Sequence, residues 1–166
     1  MTNKATFGAG CFWGVEAAFR KVKGVVATSV GYMGGHFDNP SYLDVLSRIT
    51  GHAEVCHVAY DPAIVTYEEL LNTFWSIHDP TSLNRQGPDR GEQYRSVIFC
   101  HTPEQAKIAR RSKEALNQSG QYDKAIVTQI EWELSYWLAT EEHQQYVEKK
   151  LEKNRLGEIR NNPSNG

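Results

Sequence analysis

Cysteine is scarce in this sequence: only Cys11, Cys56 and Cys100 are present. An odd, widely spaced set excludes the disulfide scaffold of small secreted domains, so each thiol is read alone. No apolar run approaches the roughly 20 residues that a bilayer-spanning helix requires. The opening Met1-Thr2-Asn3-Lys4 leads into folded-looking sequence without the apolar stretch of a signal peptide. The expectation is a soluble, cytoplasmic protein with no membrane partner. An excess of one charge is missing too: 18 Lys and Arg stand against 20 Asp and Glu, a net charge of −2. That balance leaves no electrostatic footprint for nucleic acid. Aromatic residues, at 11%, are too frequent for a disordered acidic chain. There is no internal repeat and no low-complexity linker, and the one polar, turn-prone stretch is Asn161–Gly166. A single domain over residues 1–166 is expected, with an ordered core over about 5–156, a tail over 157–166 and a monomeric state. A chain of this length buries about 70% of its unfolded surface and needs no metal or disulfide to hold a core.

The residues that are present alternate between two periods. Ala5-Thr6-Phe7 reads as a strand stopped by Gly8 and Gly10. Phe12, Val15, Phe19 and Val22 recur at helical spacing, with Gly24 placed as a C-terminal cap. Val25–Val30 reads as a strand, Gly31–Pro40 as loop, and Tyr42–Ser47 as a short helix. Ala53–Tyr60 is a strand, and Thr66 with Glu69 forms a capping box that opens a helix through Ile77. Asp79–Glu92 is a long polar loop, which in a compact domain is usually functional. A strand centred on Val97–Phe99 and a helix from Thr102-Pro103 to about Gln118 follow. Ala125–Trp132 reads as a strand and Thr140 to about Asn154 as a helix. This irregular alternation predicts an α+β fold, a two-layer sandwich with a mixed, mainly antiparallel central sheet and flanking helices, a ferredoxin-like variant.

The strongest local feature is Gly8-Ala9-Gly10-Cys11-Phe12-Trp13-Gly14. It places a thiol where a strand gives way to the first turn of a helix, among unpaired backbone N–H groups that favour an anion. A depressed pKa and a reactive thiolate are expected there. Phe12 and Trp13 cannot both face inward, so an aromatic wall beside the sulfur is expected to bind a small apolar group. Glu54, after Gly51-His52-Ala53, is a candidate proton donor, because desolvation favours the neutral carboxyl. Tyr42 and Tyr94 stand where their hydroxyls could reach the same pocket. Asp89 with Arg90 reads either as part of that pocket or as a surface pair. His52 and His57 read as structural, since His52-x3-Cys56-His57 lacks the paired spacing of zinc modules, and no metal is expected. Three other readings are open on the residues alone: a cysteine hydrolase with a distant histidine, a metal site, and a binding module without turnover.

The motifs together resemble peptide methionine sulfoxide reductase of the A type. The resemblance rests on Gly10-Cys11-Phe12-Trp13-Gly14 with Glu16, Gly31-Tyr32 with Gly34-Gly35, and Asn39-Pro40-Ser41-Tyr42. It continues through Gly51-His52-Ala53-Glu54, Asp61-Pro62, His78-Asp79-Pro80-Thr81 and Asn84 to Gly91. Gln93-Tyr94-Arg95-Ser96 and His143-Gln144 with Tyr146 complete it, in consistent order over roughly residues 5–147. The resemblance implies reduction of the S epimer of methionine sulfoxide, free or in proteins, as repair of oxidative damage. By position, Cys11 would attack the sulfoxide sulfur and become a sulfenic acid. Glu54 would protonate the oxygen, Tyr42 and Tyr94 would donate to it, Asp89 would organise the site, and Phe12 and Trp13 would hold the methyl group. No cofactor is implied. Many members carry recycling cysteines in a Gly-rich C-terminal tail; here no cysteine follows Cys100, and Glu148 onward reads as a charged helix. Regeneration of Cys11 therefore falls to Cys56, to Cys100, or to an external thiol such as thioredoxin or glutaredoxin with glutathione, with the external thiol preferred.

Overall fold

The computed structural model describes residues 1–160, with side chains through 157; of the expected tail over 157–166, residues 157–160 continue a helix and 161–166 lie outside the described residues. Six strands form one sheet: β1 (Asn3–Ala9), β2 (Val25–Met33), β3 (Ala53–Tyr60), β6 (Ser96–Cys100), β7 (Gln129–Trp132) and β8 (Trp137–Leu138). Their order is β7-β6-β1-β3-β2-β8. Only β6 and β7 run parallel; the other pairs are antiparallel. A two-residue hairpin, β4 (Arg85–Gln86) with β5 (Asp89–Arg90), stands apart. The helices are α1 (Phe12–Arg20), α2 (Tyr42–Leu46), α3 (Tyr67–Ser76), α4 (Pro103–Gln118) and α5 (Tyr146–Arg160). The mixed, mainly antiparallel α+β sheet is the expected one.

The strand period of two explains the layers. In β3, Glu54, Cys56, Val58 and Tyr60 alternate with Ala53, Val55 and His57. Cys56, Val58 and Tyr60 join the core under the helices, where Phe7 stacks on Phe19 of α1 at 4.9 Å and on Phe74 of α3 at 5.3 Å. Ala53 and Val55 join Met33, Val97 and Phe99 on the opposite face, where Tyr136 packs. Antiparallel register also gathers one end of the sheet. Phe7 lies opposite Cys56 and Ala9 opposite Ser96, so the exit of β1 runs beside the starts of β3 and β6.

Helix starts follow the sequence closely. Thr66 and Glu69 form both bonds of the capping box, and Thr102 caps α4 with Pro103 at its first position. Ser41 and Asp44 form a second capping box that fixes the start of α2 at Tyr42. Four readings are corrected. Gly24 does not cap α1, which ends at Arg20; with φ +101 it turns the chain into β2, and a Cβ there would sit 2.7 Å from Val65 Cγ1. Gly31-Tyr32-Met33 is strand rather than loop, because Gly31 lets the β8 backbone at Trp137 cross closely. Ala125–Thr128 forms no ladder; pairing begins at Gln129. The helix expected from Thr140 is a 3-10 turn, Glu141–His143, a break at Gln145 (φ 48), and then α5, which runs past residue 156 to Arg160.

Tertiary bonds explain that last break. The Gln144 amide accepts from Val30 N–H at 2.8 Å and donates to Val30 and Ala139 carbonyls, each at 2.9 Å. Glu16, 1% exposed on α1, accepts from Gln145 N–H at 2.7 Å, from its Nε2 at 2.8 Å and from Thr28 Oγ1 at 2.7 Å. Removing that acceptor strands buried donors. Glu16→Ala is therefore expected to destabilise the protein by about 2–3 kcal/mol, read as a lower urea midpoint at unchanged m.

Candidate active site

Cys11 is the N-cap of α1, reached through Gly10 at φ +100, where Gln86 packs so closely that a Cβ would lie 3.0 Å from it. Its side chain makes no capping bond and is half-buried. Burial pushes the thiol up to about 11; the backbone N–H of Trp13 and then of Gly14 pull it down, and the Glu54 and Asp89 carboxylates push it further up. The depressed pKa expected from the helix start is thus overturned for the resting site, because desolvation outweighs two amides.

Glu54 sits beside it, 1% exposed. Oε1 accepts from Phe12 N–H at 3.1 Å, and Oε2 has no hydrogen-bond partner. Desolvation raises this carboxyl to about 8; the Phe12 bond opposes the rise and Asp89 adds to it. At neutral pH the group therefore keeps its proton, which also relieves Cys11 of most of the charge that Glu54 would otherwise set against it.

The other residues named by sequence converge on the same point. Tyr42, at the start of α2, is raised by burial and then by Glu54, Cys11 and Asp89. Tyr94, 9% exposed, closes the 3-10 turn Glu92–Tyr94 before β6. It is raised by burial, then by Glu54, Tyr42, Asp89 and Cys11. The hairpin places Asp89 opposite Gln86, and Arg48 of the α2 exit donates to Arg90 O at 2.7 Å. The Asp89 carboxylate lies near enough to raise Cys11, Glu54, Tyr42 and Tyr94 alike.

Phe12 is fully buried and Trp13 half-buried, so the two aromatics divide as the helix period demands. Trp13 Nε1–H donates to His143 Nδ1 at 3.0 Å, and its ring stacks on Tyr146 at 3.9 Å. His143 packs on Tyr42 at 4.4 Å. The chain beyond β8 therefore walls one side of the site, and only the resemblance, through His143 and Tyr146, pointed there. Tyr32, present only within a motif of the resemblance and given no role because it reads as loop, packs on Phe12 at 5.6 Å.

The remaining candidates lie elsewhere. Cys56 and Cys100 belong to the core under the helices. Burial raises the Cys56 thiol well above its ordinary value, and Cys100 to about 11. Cys56 and His57 point to opposite faces of β3, and among the described residues there is no group of three or more His, Cys, Asp or Glu placed to hold an ion. His52 is structural: Nδ1 accepts from Gly35 N–H at 3.0 Å, and Nε2 donates to Phe37 O at 2.6 Å. The histidine packed against the site, His143, has its Nδ1 occupied by Trp13 Nε1–H.

A half-buried thiol at a helix start, with a carboxyl raised by burial and two tyrosines around it, is the arrangement of a cysteine-dependent enzyme site. The family model described as peptide methionine sulfoxide reductase matches residues 3–165. Peptide methionine sulfoxide reductase MsrA 1 of Nostoc sp. is 69% identical over 151 residues, covering 91% of this chain and 93% of that protein. Mxr1 from Saccharomyces cerevisiae in reduced form superposes with TM-score 0.81 at 38% identity, covering 89% of this chain and 85% of that one. Mxr1 in complex with Trx2 gives TM-score 0.59 at 29% identity, with 87% and 84% covered. The chain belongs to the peptide methionine sulfoxide reductase family. It is an oxidoreductase that returns methionine sulfoxide to methionine, a repair of oxidised protein.

Proposed function

We propose that the substrate is the S epimer of methionine sulfoxide and that Cys11 attacks its sulfur while Glu54 protonates its oxygen. The observation that carries this reading is Glu54, neutral near pH 7, with one oxygen tied to Phe12 N–H and the other uncommitted beside Cys11. Tyr42 and Tyr94 donate to the sulfoxide oxygen as it gains negative charge. Asp89 organises these donors from the hairpin. Phe12 and Trp13 take the methyl group, and a methyl wall opposite an oxygen site distinguishes the two hands at sulfur. A sulfoxide sulfur carries partial positive charge, so the bound substrate supplies the thiolate stabilisation that the resting site lacks. The oxygen then passes to Cys11 Sγ as the substrate's S–O bond and the Sγ–S bond made in the attack both break, so methionine leaves reduced and Cys11 is oxidised to a sulfenic acid. The proton that Cys11 loses equals the one that the oxygen gains.

Recycling falls to an external thiol. The only other cysteines in these 166 residues are Cys56 and Cys100, 0% and 1% exposed. Each would have to leave the core to reach Cys11. The yeast relative in complex with Trx2 supports a thioredoxin as reductant; glutaredoxin with glutathione is the alternative, and both suit a reducing cytoplasm. No described helix is long and apolar enough to cross a membrane. Mass spectrometry after one equivalent of sulfoxide, without added thiol, is expected to show one oxygen on Cys11 and no disulfide. A Cys11–Cys56 or Cys11–Cys100 disulfide would overturn external recycling.

A further inference from the structure

Tyr32 is 1% exposed, and its hydroxyl has no hydrogen-bond partner. Native structures seldom leave a buried O–H unpaired, because its desolvation goes uncompensated. The ring is held on Phe12 at 5.6 Å, in a cluster with Val30, Val45 and Ala139. The β2–β3 register sets Tyr32 directly opposite Glu54, so both side chains rise from one face of the sheet on adjacent strands. Glu54 carries the other unpaired buried atom here, Oε2.

Counting donors around Glu54 separates their roles. Phe12 N–H is committed to Oε1. Tyr42 and Tyr94, on the reading above, are committed to the sulfoxide oxygen. While Oε2 holds its proton it needs no donor. Once that proton has left, Oε2 is an oxyanion in a desolvated pocket, and Tyr32 is the buried hydroxyl beside it that is still uncommitted.

We propose that Tyr32 is a positioning residue for the acid: its hydroxyl donates to Glu54 Oε2 as that oxygen gives up its proton. The proposal rests on Glu54 being the acid. No bond of Tyr32 breaks, and the proton balance of the reduction is unchanged. A hydrogen bond that forms only as charge develops lowers the barrier without tightening substrate binding. It also gives the unpaired hydroxyl an acceptor that exists only during turnover.

Tyr32→Phe keeps the ring on Phe12 and removes only the hydroxyl. Single-turnover methionine release is expected to slow by roughly tenfold, with KM little changed. The alkaline fall of the rate, set by Glu54 losing its proton, is expected to move to higher pH. Cys11 ionisation raises the rate with pH, so that fall is separable from it; Tyr42, Asp89, Tyr94 and Glu142 are the other ionisable groups around the pair. The thermal midpoint should stay level or rise, since an unpaired O–H is lost. In a Glu54→Gln background, Tyr32→Phe should add no further loss. The proposal is overturned by an unchanged rate and alkaline limb, by a KM increase alone, which marks packing behind Phe12, or by equal losses in both backgrounds. If Glu54→Gln by itself leaves the rate intact, the acid assignment has failed and the Tyr32 role falls with it.

Discussion

Glu54→Gln is expected to slow methionine release in a single turnover by about 10²–10⁴-fold, the range that positioned general acids contribute. The amide oxygen can still accept from Phe12 N–H, so the pocket keeps its shape and sulfoxide binding is largely retained. The same substitution is expected to stabilise the protein at neutral and alkaline pH. Glu54 titrates near 8 when folded and near 4.3 in an unfolded chain. Between those values the folded state binds more protons than the unfolded state, so stability falls as pH rises. Across that window the loss is of the order of a few kcal/mol. Glutamine does not titrate, so the variant should exceed its parent in thermal midpoint at pH 8, and the gap should close below about pH 4.5. An unchanged single-turnover rate would remove the proton-donor role.

The second large effect is expected from Tyr42→Phe combined with Tyr94→Phe. Both hydroxyls are positioned by short elements, the capped start of α2 and the turn before β6. Each single variant removes one donor from the developing charge, about 1.5–3 kcal/mol where the acceptor is charged. Together they should lower kcat/KM by roughly 10²–10⁴-fold, short of strict additivity because both donate to one oxygen. The loss should lie in the rate of reduction more than in KM. A double variant within threefold of the parent would show that Glu54 acts alone on the oxygen.

Much of this was legible because the decisive signals were local. The Thr66 and Thr102 caps, the alternation of Ala53–Tyr60 and the glycine exit at Gly10 each depend on a few neighbours. The readings that failed depend on remote ones. Gly31 resembles a loop residue until β8 is seen crossing it. Thr140–Asn154 has helical composition, yet Glu16, more than a hundred residues earlier, fixes Gln145 and stops the continuous helix. The Cys11 pKa went the other way because a helix start can be read from sequence, whereas the depth of the thiol and the approach of Asp89 cannot. Tyr32 was given no role for the same reason: it stands opposite Glu54, a relation set by strand register.

The outer side of β2 has a further consequence. Beyond the two residues that β8 pairs, Val30 finds its partners on the Gln144 amide and on Ala139 N–H. One side chain imitates a neighbouring strand where the ladder would otherwise lie open. Open ladders recruit extended peptides by backbone pairing, a route to aggregation. The Gln144 amide thus closes at Val30 a stretch of backbone that would otherwise be open to such pairing.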